Sequence, residues 1–451
     1  MQRVKVHLIA IGGAVMHNLA LDLHARGFEL TGSDDQIFEP SKSRLEAAGL
    51  LPATMGWFPE KLDARPDIVI LGMHARADNP ELLRALELGL KVMSFPEFVY
   101  EQARDKKRLV VAGSHGKTTI TAMVMHVLRF HKLNFDYLVG SQLEGFDRMV
   151  KLSEDAPVIV LEGDEYLASP LDPRPKFLHY HAHATVISGI AWDHINVFPT
   201  YENYVAQFEA LIDSLPDQGV LGYFDGDPDL VEIAEKRGQR LTLKPYHAAD
   251  YVIEDGYTFL KTSLGKIPIQ VFGKHNIANI AAARILTEQA GISKEDFYTA
   301  IASFKGTARR LEAWSSKEGY VVYRDFAHAP SKVAATVAAV NEKHGNQRLI
   351  ACLELHTFSS LNKEFLPHYK GSMNGPKHAL VYYNPDTIAQ KRLESISPEE
   401  VVRAFERNDL EVFTDSEALW ARLTELAKAP GCFLLMSSGN YNNLALKELF
   451  Q

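Results

Sequence analysis

Gly113-Ser114-His115-Gly116-Lys117-Thr118-Thr119 contains the residue types that hold a polyphosphate. Two glycines let successive backbone N–H groups converge on an anion, and a helix opening directly behind them adds its partial positive charge. Lys117 can reach phosphate oxygens, and the Thr118 hydroxyl can hold magnesium. The full P-loop pattern wants a glycine where Val111 stands, so only the shorter Gly-x-x-Gly-Lys-Thr-Thr form is present. Two further groups bear on the same chemistry. Glu162 closes the apolar run 157–161, and His194 follows the run 185–187 in Trp192-Asp193-His194. Carboxylate and hydroxyl oxygens suit magnesium, and an imidazole nitrogen can complete a second ion's shell. Lys117, Glu162 and His194 are therefore the candidate catalytic residues, and Thr118, Glu162 and His194 the candidate metal ligands. Taken singly, Glu162 also reads as a helix-capping acid and His194 as a surface histidine.

These groups need elements that bring them together. The β-branched run before Gly113 reads as a strand, and Ile120, Met123, Val124, Val127 and Leu128 repeat at helical spacing. Runs 157–161 and 185–187 are uniformly apolar, as buried parallel strands are. In open α/β sheets ligands gather beyond the carboxyl ends of the strands, which places Lys117, Glu162 and His194 on one rim.

Upstream, a strand over 4–10 turns at Gly12-Gly13 into a helix. A second strand closes on Ser33-Asp34, so an acidic residue stands about 20 positions after the glycines, as in dinucleotide-type units. Ala10 and Val15 stand where that fingerprint's first and third glycines belong. Downstream, Gly273-Lys274-His275-Asn276 opens an alanine-rich helix in which Asn276 and Asn279 share a face. The pair reads either as an adenine-recognising surface or as an N-cap Asn276 followed by an exposed Asn279. Lys305-Gly306-Thr307-Ala308-Arg309-Arg310 is a basic turn that could clamp phosphate. Strands and helices alternate again beyond it. His181 and His183 read as polar strand positions.

The expected architecture is α/β in three units, 1–106, 107–310 and 311–451, from a length of 451 residues. A net charge of −9 argues against nucleic acid, which normally selects a basic face. Cys352 and Cys432 read as buried thiols in a reducing compartment. No window approaches the ~18 apolar residues of a membrane span, and the expectation is a cytoplasmic protein. The oligomeric state is not legible.

Together, in this order, these motifs resemble the Mur ligases. The set comprises a glycine turn ending in Gly-Ser-Asp, Gly-x-x-Gly-Lys-Thr-Thr, Glu-x-Asp-Glu, Asp-His, His-Asn-x-x-Asn, Gly-x-x-x-Arg and Asp-Phe-Ala-His. The first-domain pattern and the Glu-x-Asp-Glu form resemble the branch that takes free UDP-N-acetylmuramate. Within it, Thr31-Gly32-Ser33-Asp34 followed by Phe38-Glu39-Pro40-Ser41, then Asp164-Glu165-Tyr166, Lys176-Phe177-Leu178-His179-Tyr180 and Asp325-Phe326-Ala327-His328-Ala329-Pro330 resemble the murein peptide ligases more than the L-alanine-adding ligases. The resemblance implies an N-terminal Rossmann-like UDP-binding domain, a central P-loop ATPase domain and a C-terminal Rossmann-like domain for the acceptor. It implies ATP and Mg2+, and as substrates UDP-N-acetylmuramate and a murein tripeptide. Gly113 to Thr119 would bind phosphates, with Lys117 at the β- and γ-phosphates. Asn279, helped by His275 and Asn276, would read adenine, Arg310 would contact phosphate and Asp325 the ribose. Gly12, Gly13, Ser33 and Asp34 would line the UDP site.

His328, His356, Ser359 and Asn440 are candidate acceptor residues, although the loops around His356 and Asn440 read equally well as ordinary polar turns. Glu354-Leu355-His356 replaces the Glu-Pro-Arg run of many peptide ligases, so that arginine contact is either missing or supplied elsewhere, with Arg174 and Lys363 as candidates. Gly189, Ala191, Arg324 and Ala329 also depart from the family pattern. They are what a non-catalytic, nucleotide-dependent sensor of cell-wall precursors would carry, and the intact Lys117, Thr118, Glu162 and His194 speak for an enzyme. Residues 195–210 contain no lysine, so no carbamylated-lysine ligand is expected.

Overall fold

The computed structural model describes residues 3–315 and 318–450. Among the described residues three large sheets follow one another along the chain, with a two-stranded ribbon and a three-stranded antiparallel sheet as smaller additions. The first has four parallel strands in the order Glu29–Ser33, Lys5–Ile9, Ile68–Leu71, Val92–Ser94. The central sheet has seven strands. Thr242–Tyr246, Val220–Phe224, Ala184–Ile187, Lys107–Ala112, Val158–Glu162 and Asp136–Leu138 run parallel, and Val150–Lys151 closes one edge antiparallel. The third sheet has six strands, all parallel except Glu312–Ser315.

The apolar runs of the central sheet are buried on both faces because helices cover each. Lys117–Phe130 and Lys274–Gln289 pack with Leu109, Val111, Val160 and Val186 on one face. On the other, Val110, Ile159, Leu161 and Ile187 face Phe177, Tyr204 and Phe208. This is the alternation of a doubly covered parallel sheet. His181 and His183 precede strand Ala184–Ile187 instead of lying in it. The His183 ring accepts from the Arg108 N–H at 3.1 Å, a local tie that strand periodicity does not encode. Both cysteines are buried and free. Among the described residues no helix is long and apolar enough to cross a membrane.

A buried ion pair anchors the start of the central sheet. Asp136 is fully buried, pairs with the Lys106 ammonium, and accepts from Ser153 through its N–H at 2.8 Å and its hydroxyl at 2.7 Å. Removing one member of such a pair strands the other charge, at a cost of about 3–5 kcal/mol. Asp136→Ala is therefore expected to lower the chemical denaturation midpoint strongly, and a shift no larger than that of a surface variant would refute the assignment.

Candidate active site

The central strands end level with one another. Val111 pairs with Glu162 and Ala112 with Ile187, so Gly113, Glu162 and Ser188 emerge on one rim. Two glycines shape the loop there. Gly113 has φ +118° and Gly116 has φ +64°. A side chain at Gly113 would lie 2.5 Å from the Ser188 backbone nitrogen, and one at Gly116 would lie 2.4 Å from Asn279 Oδ1. Only glycine satisfies both the dihedral and the close approach. The helix Lys117–Phe130 starts directly behind.

Lys117 Nζ donates to Gly113 O at 2.7 Å and to Glu165 Oε2 at 2.7 Å. Thr118 Oγ1 donates to Glu162 Oε1 at 2.9 Å, and the Gly140 N–H donates to Glu162 Oε2 at 2.8 Å. His194 Nε2 lies 3.3 Å from Glu165 Oε1, and the Tyr204 hydroxyl donates to that same oxygen at 3.3 Å. Glu165 thus bridges the candidate catalytic residues Lys117 and His194. Burial would raise its pKa, but the charges of Lys117 and His194 outweigh burial and hold the carboxyl well below the usual range. Burial would likewise lower the Lys117 ammonium, and Glu165 with Asp164 carries it upward instead. Glu162 moves the other way: burial raises it, opposed by its bonds from Gly140 and Thr118.

His194 has φ +59°, which costs a non-glycine residue on the order of 1 kcal/mol. Asp193 holds the turn, accepting from the His194 N–H at 2.8 Å and from Lys332 Nζ of the third unit at 3.0 Å. Ser359, also of that unit, accepts from the Ile195 N–H at 3.4 Å. The His194 loop is therefore held against the C-terminal sheet.

Lys117, Thr118, Gly140, Glu162, His194 and Lys332 border a cavity of about 390 Å³ where the three units meet. Ser114, His115, Gly116, Lys117, Thr118 and Thr119 line it, with Glu162, His194, His275, Asn276, Asn279, Arg310, Asp325 and His328. Gly113 sits behind, presenting its carbonyl to Lys117. The first unit contributes Val15 and Phe95. Gly273 caps the helix Lys274–Gln289, so both asparagines lie inside it and are buried; the N-cap reading of Asn276 does not hold. Asn276 Nδ2 donates to Phe272 O at 3.0 Å, and its Oδ1 accepts from Asn279 at 3.4 Å. Burial lowers His115 and His275 to about 4 and His328 to about 3, so all three rings are neutral at pH 7. The Arg310 guanidinium lies 4.7 Å from the Phe326 ring, and burial lowers its pKa against the pull of Asp325 and Glu162. Asp325 faces the cavity with both carboxylate oxygens engaged, accepting from the N–H groups of Leu311 and Ala327 at 2.7 Å each.

Other candidates stand apart from this cavity. Asp34 Oδ2 accepts from the Gly12 N–H at 2.7 Å, and Ser33 Oγ accepts from Lys61 at 2.9 Å, which groups Gly12, Gly13, Ser33 and Asp34 at the first sheet's own rim. His356 sits 3.9 Å from Glu354. Asn440 lines a separate hollow with Trp314 and Arg324. Neither substitute for the missing arginine reaches the cavity: Arg174 forks onto Asp172, and Lys363 pairs with Glu394 and Glu400. Sequence reasoning passed over Glu165, Lys176 and Lys332. Glu165 stood within Glu-x-Asp-Glu, and only the fold reveals that its carboxylate, and not the neighbouring Asp164, turns between Lys117 and His194.

A Gly-x-x-Gly-Lys-Thr-Thr loop between strand and helix, at the junction of three α/β units, has the form of a multidomain P-loop protein. Matches to known families are more specific. Residues 5–107 match the model "Mur ligase family, catalytic domain", 111–287 the "Mur ligase middle domain" and 309–439 the "Mur ligase, glutamate ligase domain". The chain belongs to the Mur ligase family. It is 30% identical over 366 residues, covering 77% of this chain and 79% of the relative, to the UDP-N-acetylmuramate–L-alanyl-γ-D-glutamyl-meso-2,6-diaminoheptandioate ligase of Haemophilus influenzae. It is 31% identical over 387 residues, 84% of this chain and 80% of the relative, to the UDP-N-acetylmuramate–L-alanine ligase of an Arthrobacter strain. A murein peptide ligase from Psychrobacter arcticus shares the fold over 99% of this chain and 98% of its own, with a TM-score of 0.66 and 22% identity.

Proposed function

We propose that this chain is an ATP-dependent ligase joining the carboxylate of UDP-N-acetylmuramate to the amine of L-alanyl-γ-D-glutamyl-meso-diaminopimelate, in the cytoplasm, in peptidoglycan recycling. The observation that carries the reading is the convergence of Lys117, Glu162, His194 and Arg310 on one cavity walled by all three units. In this reading residues 1–106 hold the UDP donor, 107–310 the nucleotide and 311–451 the acceptor.

The residues present fit ATP and magnesium. Ser114 Oγ, His115 Nδ1 and His275 Nδ1 are buried polar atoms without a partner among the described residues, clustered around the loop where a nucleotide would supply one. The hydroxyl of Thr118 and the carboxylate of Glu162 form an oxygen pair of the kind that holds magnesium, and His194 offers a nitrogen to a second ion. When bound, magnesium neutralises charge on the transferring phosphoryl group. The chain's own residues do the rest. Lys117 would draw on the β- and γ-phosphates, Arg310 would support the phosphate chain, and Asn279, helped by His275 and Asn276, would read the base.

A carboxylate does not react with an amine beyond forming a salt. One donor carboxylate oxygen therefore attacks the γ-phosphorus, the bond to the β-phosphate oxygen breaks, and ADP leaves. The acceptor amine adds to the carbonyl carbon of the acyl phosphate, loses a proton, and expels phosphate. No protein nucleophile is used, so holding the three reactants in register supplies much of the rate. Incubation with ATP, magnesium, donor and tripeptide should yield UDP-N-acetylmuramoyl-tripeptide by mass spectrometry, and no new nucleotide-sugar mass would refute the reading. The Arthrobacter relative favours a second reading, L-alanine addition, which would show as the single-residue adduct.

The donor site carries a pH signature. Burial raises Asp34 to about 6, against the bond it accepts from the Gly12 N–H. If Asp34 accepts hydrogen bonds from the donor, its ionised form is the competent one. Donor affinity should weaken as pH falls through about 6, and Asp34→Asn should flatten that dependence. The folding effect has the opposite sign: a raised carboxyl binds protons more tightly when folded, so stability declines as pH rises from the unfolded value through about 6. Titrating donor affinity in both proteins between those pH values checks this, and an equally steep profile in the variant would exclude Asp34.

A further inference from the structure

Four lysine or arginine side chains line the cavity: Lys117, Lys176, Arg310 and Lys332. Three have evident work. Lys117 heads the phosphate loop, Arg310 sits beside Asp325 at the entrance to the third unit, and Lys332 is tied to Asp193 at 3.0 Å. Lys176 has none so far. It is only 7% exposed, and its ammonium pairs with Asp164 Oδ2 at 2.5 Å. It also lies 5.6 Å from the ring centre of Phe95 and 5.9 Å from that of Tyr166. Phe95 belongs to the first unit, and Val15, the other first-unit residue at the cavity, stands just past the Gly12-Gly13 turn. Lys176 therefore occupies the wall by which a donor held on the first unit enters.

The chemistry requires a cation there. Phosphoryl transfer begins with an anionic carboxylate approaching an anionic triphosphate, and Lys117 is committed to the triphosphate. An ammonium has three donors, and among the described residues the Lys176 ammonium gives a hydrogen bond only to Asp164. That carboxylate is 35% exposed, so water can replace the lysine when it turns to another anion. We propose that Lys176 binds the lactyl carboxylate of the donor and aligns it on the γ-phosphorus; the assignment rests on the ligase reading above.

UDP-N-acetylmuramate and UDP-N-acetylglucosamine differ only by the lactyl ether, so a calorimetric comparison of the two isolates the carboxylate without turnover. Wild-type protein should prefer the muramate. Lys176→Gln should lose roughly 10- to 100-fold in muramate affinity, the worth of a charge-assisted hydrogen bond, with affinities for the glucosamine and for a non-hydrolysable ATP analogue unchanged. Lys176→Arg should recover most of the preference, and Asp164→Asn, which frees the ammonium, should keep or increase it. Equal loss for both UDP sugars in Lys176→Gln, or loss of preference in Asp164→Asn, would overturn the proposal. A wild-type protein that binds both sugars equally would overturn it as well. A wild-type protein that binds neither would overturn the ligase reading itself.

Discussion

Lys117→Met is expected to reduce turnover by on the order of 1000-fold while leaving UDP-donor binding intact. The ammonium stands at the mouth of the phosphate loop, held by Gly113 O and Glu165 at 2.7 Å each. Preorganised charges facing a transferring phosphoryl group contribute about 10²–10³ each, and more where the site excludes water. Methionine preserves the length and apolar stem, so loss of the charge is the main change. Steady-state rates and donor calorimetry on one preparation separate the two effects. A loss under tenfold would show that Lys117 does not meet the transferring group, and parallel loss of donor binding would indicate a collapsed loop.

Glu165→Ala should be costly for a different reason. Its carboxylate is 1% exposed and joins Lys117, His194 and Tyr204. Removing it leaves the Lys117 charge buried without its partner, and broken buried pairs cost about 3–5 kcal/mol. The depressed folded pKa also fixes a pH dependence. The group adds stability that is fully present above the unfolded carboxyl value near 4.5 and is lost as pH falls below it toward the folded value. Wild-type protein should lose stability on acidification through that range, and Glu165→Gln should lose less of it. Denaturation midpoints between neutral and acid pH provide the check; identical slopes would mean that Glu165 is not the charge that pairs Lys117. A nucleotide-saturated sample should narrow the difference, since the triphosphate offers Lys117 another anion.

The contrast between these two residues indicates how far the sequence could be read. Lys117, Thr118 and Glu162 were legible because strand, turn and helix signals fixed their positions to within a residue, and parallel sheets align strand ends. The Val111–Glu162 register then follows from the fold class. Asn276 and Asn279 were ambiguous because local spacing cannot distinguish a helix cap from a buried face; the cap at Gly273 and the packing of Asn279 against Gly116 decide it. Glu165 and Lys176 lie in an irregular stretch after a strand, where no periodicity sets side-chain direction. The Asp193–Lys332 tie joins groups 139 positions apart, and such pairings leave no local signature. Asp325 was recognisable as a motif, yet its engagement with the Leu311 and Ala327 N–H groups is a property of the turn it closes. The separation of Asn440 from the main cavity likewise depends on where the segment after Met436 folds back.

The central claim is that one cavity couples ATP cleavage to amide formation on a peptide. The most direct measurement is phosphate release by purified protein with ATP, magnesium and UDP-N-acetylmuramate, comparing L-alanyl-γ-D-glutamyl-meso-diaminopimelate with L-alanine as acceptor. Release that requires both donor and tripeptide, with L-alanine inactive, is the predicted result. Release with L-alanine alone would make the chain the first amino-acid-adding enzyme, and no release with either acceptor would contradict catalysis.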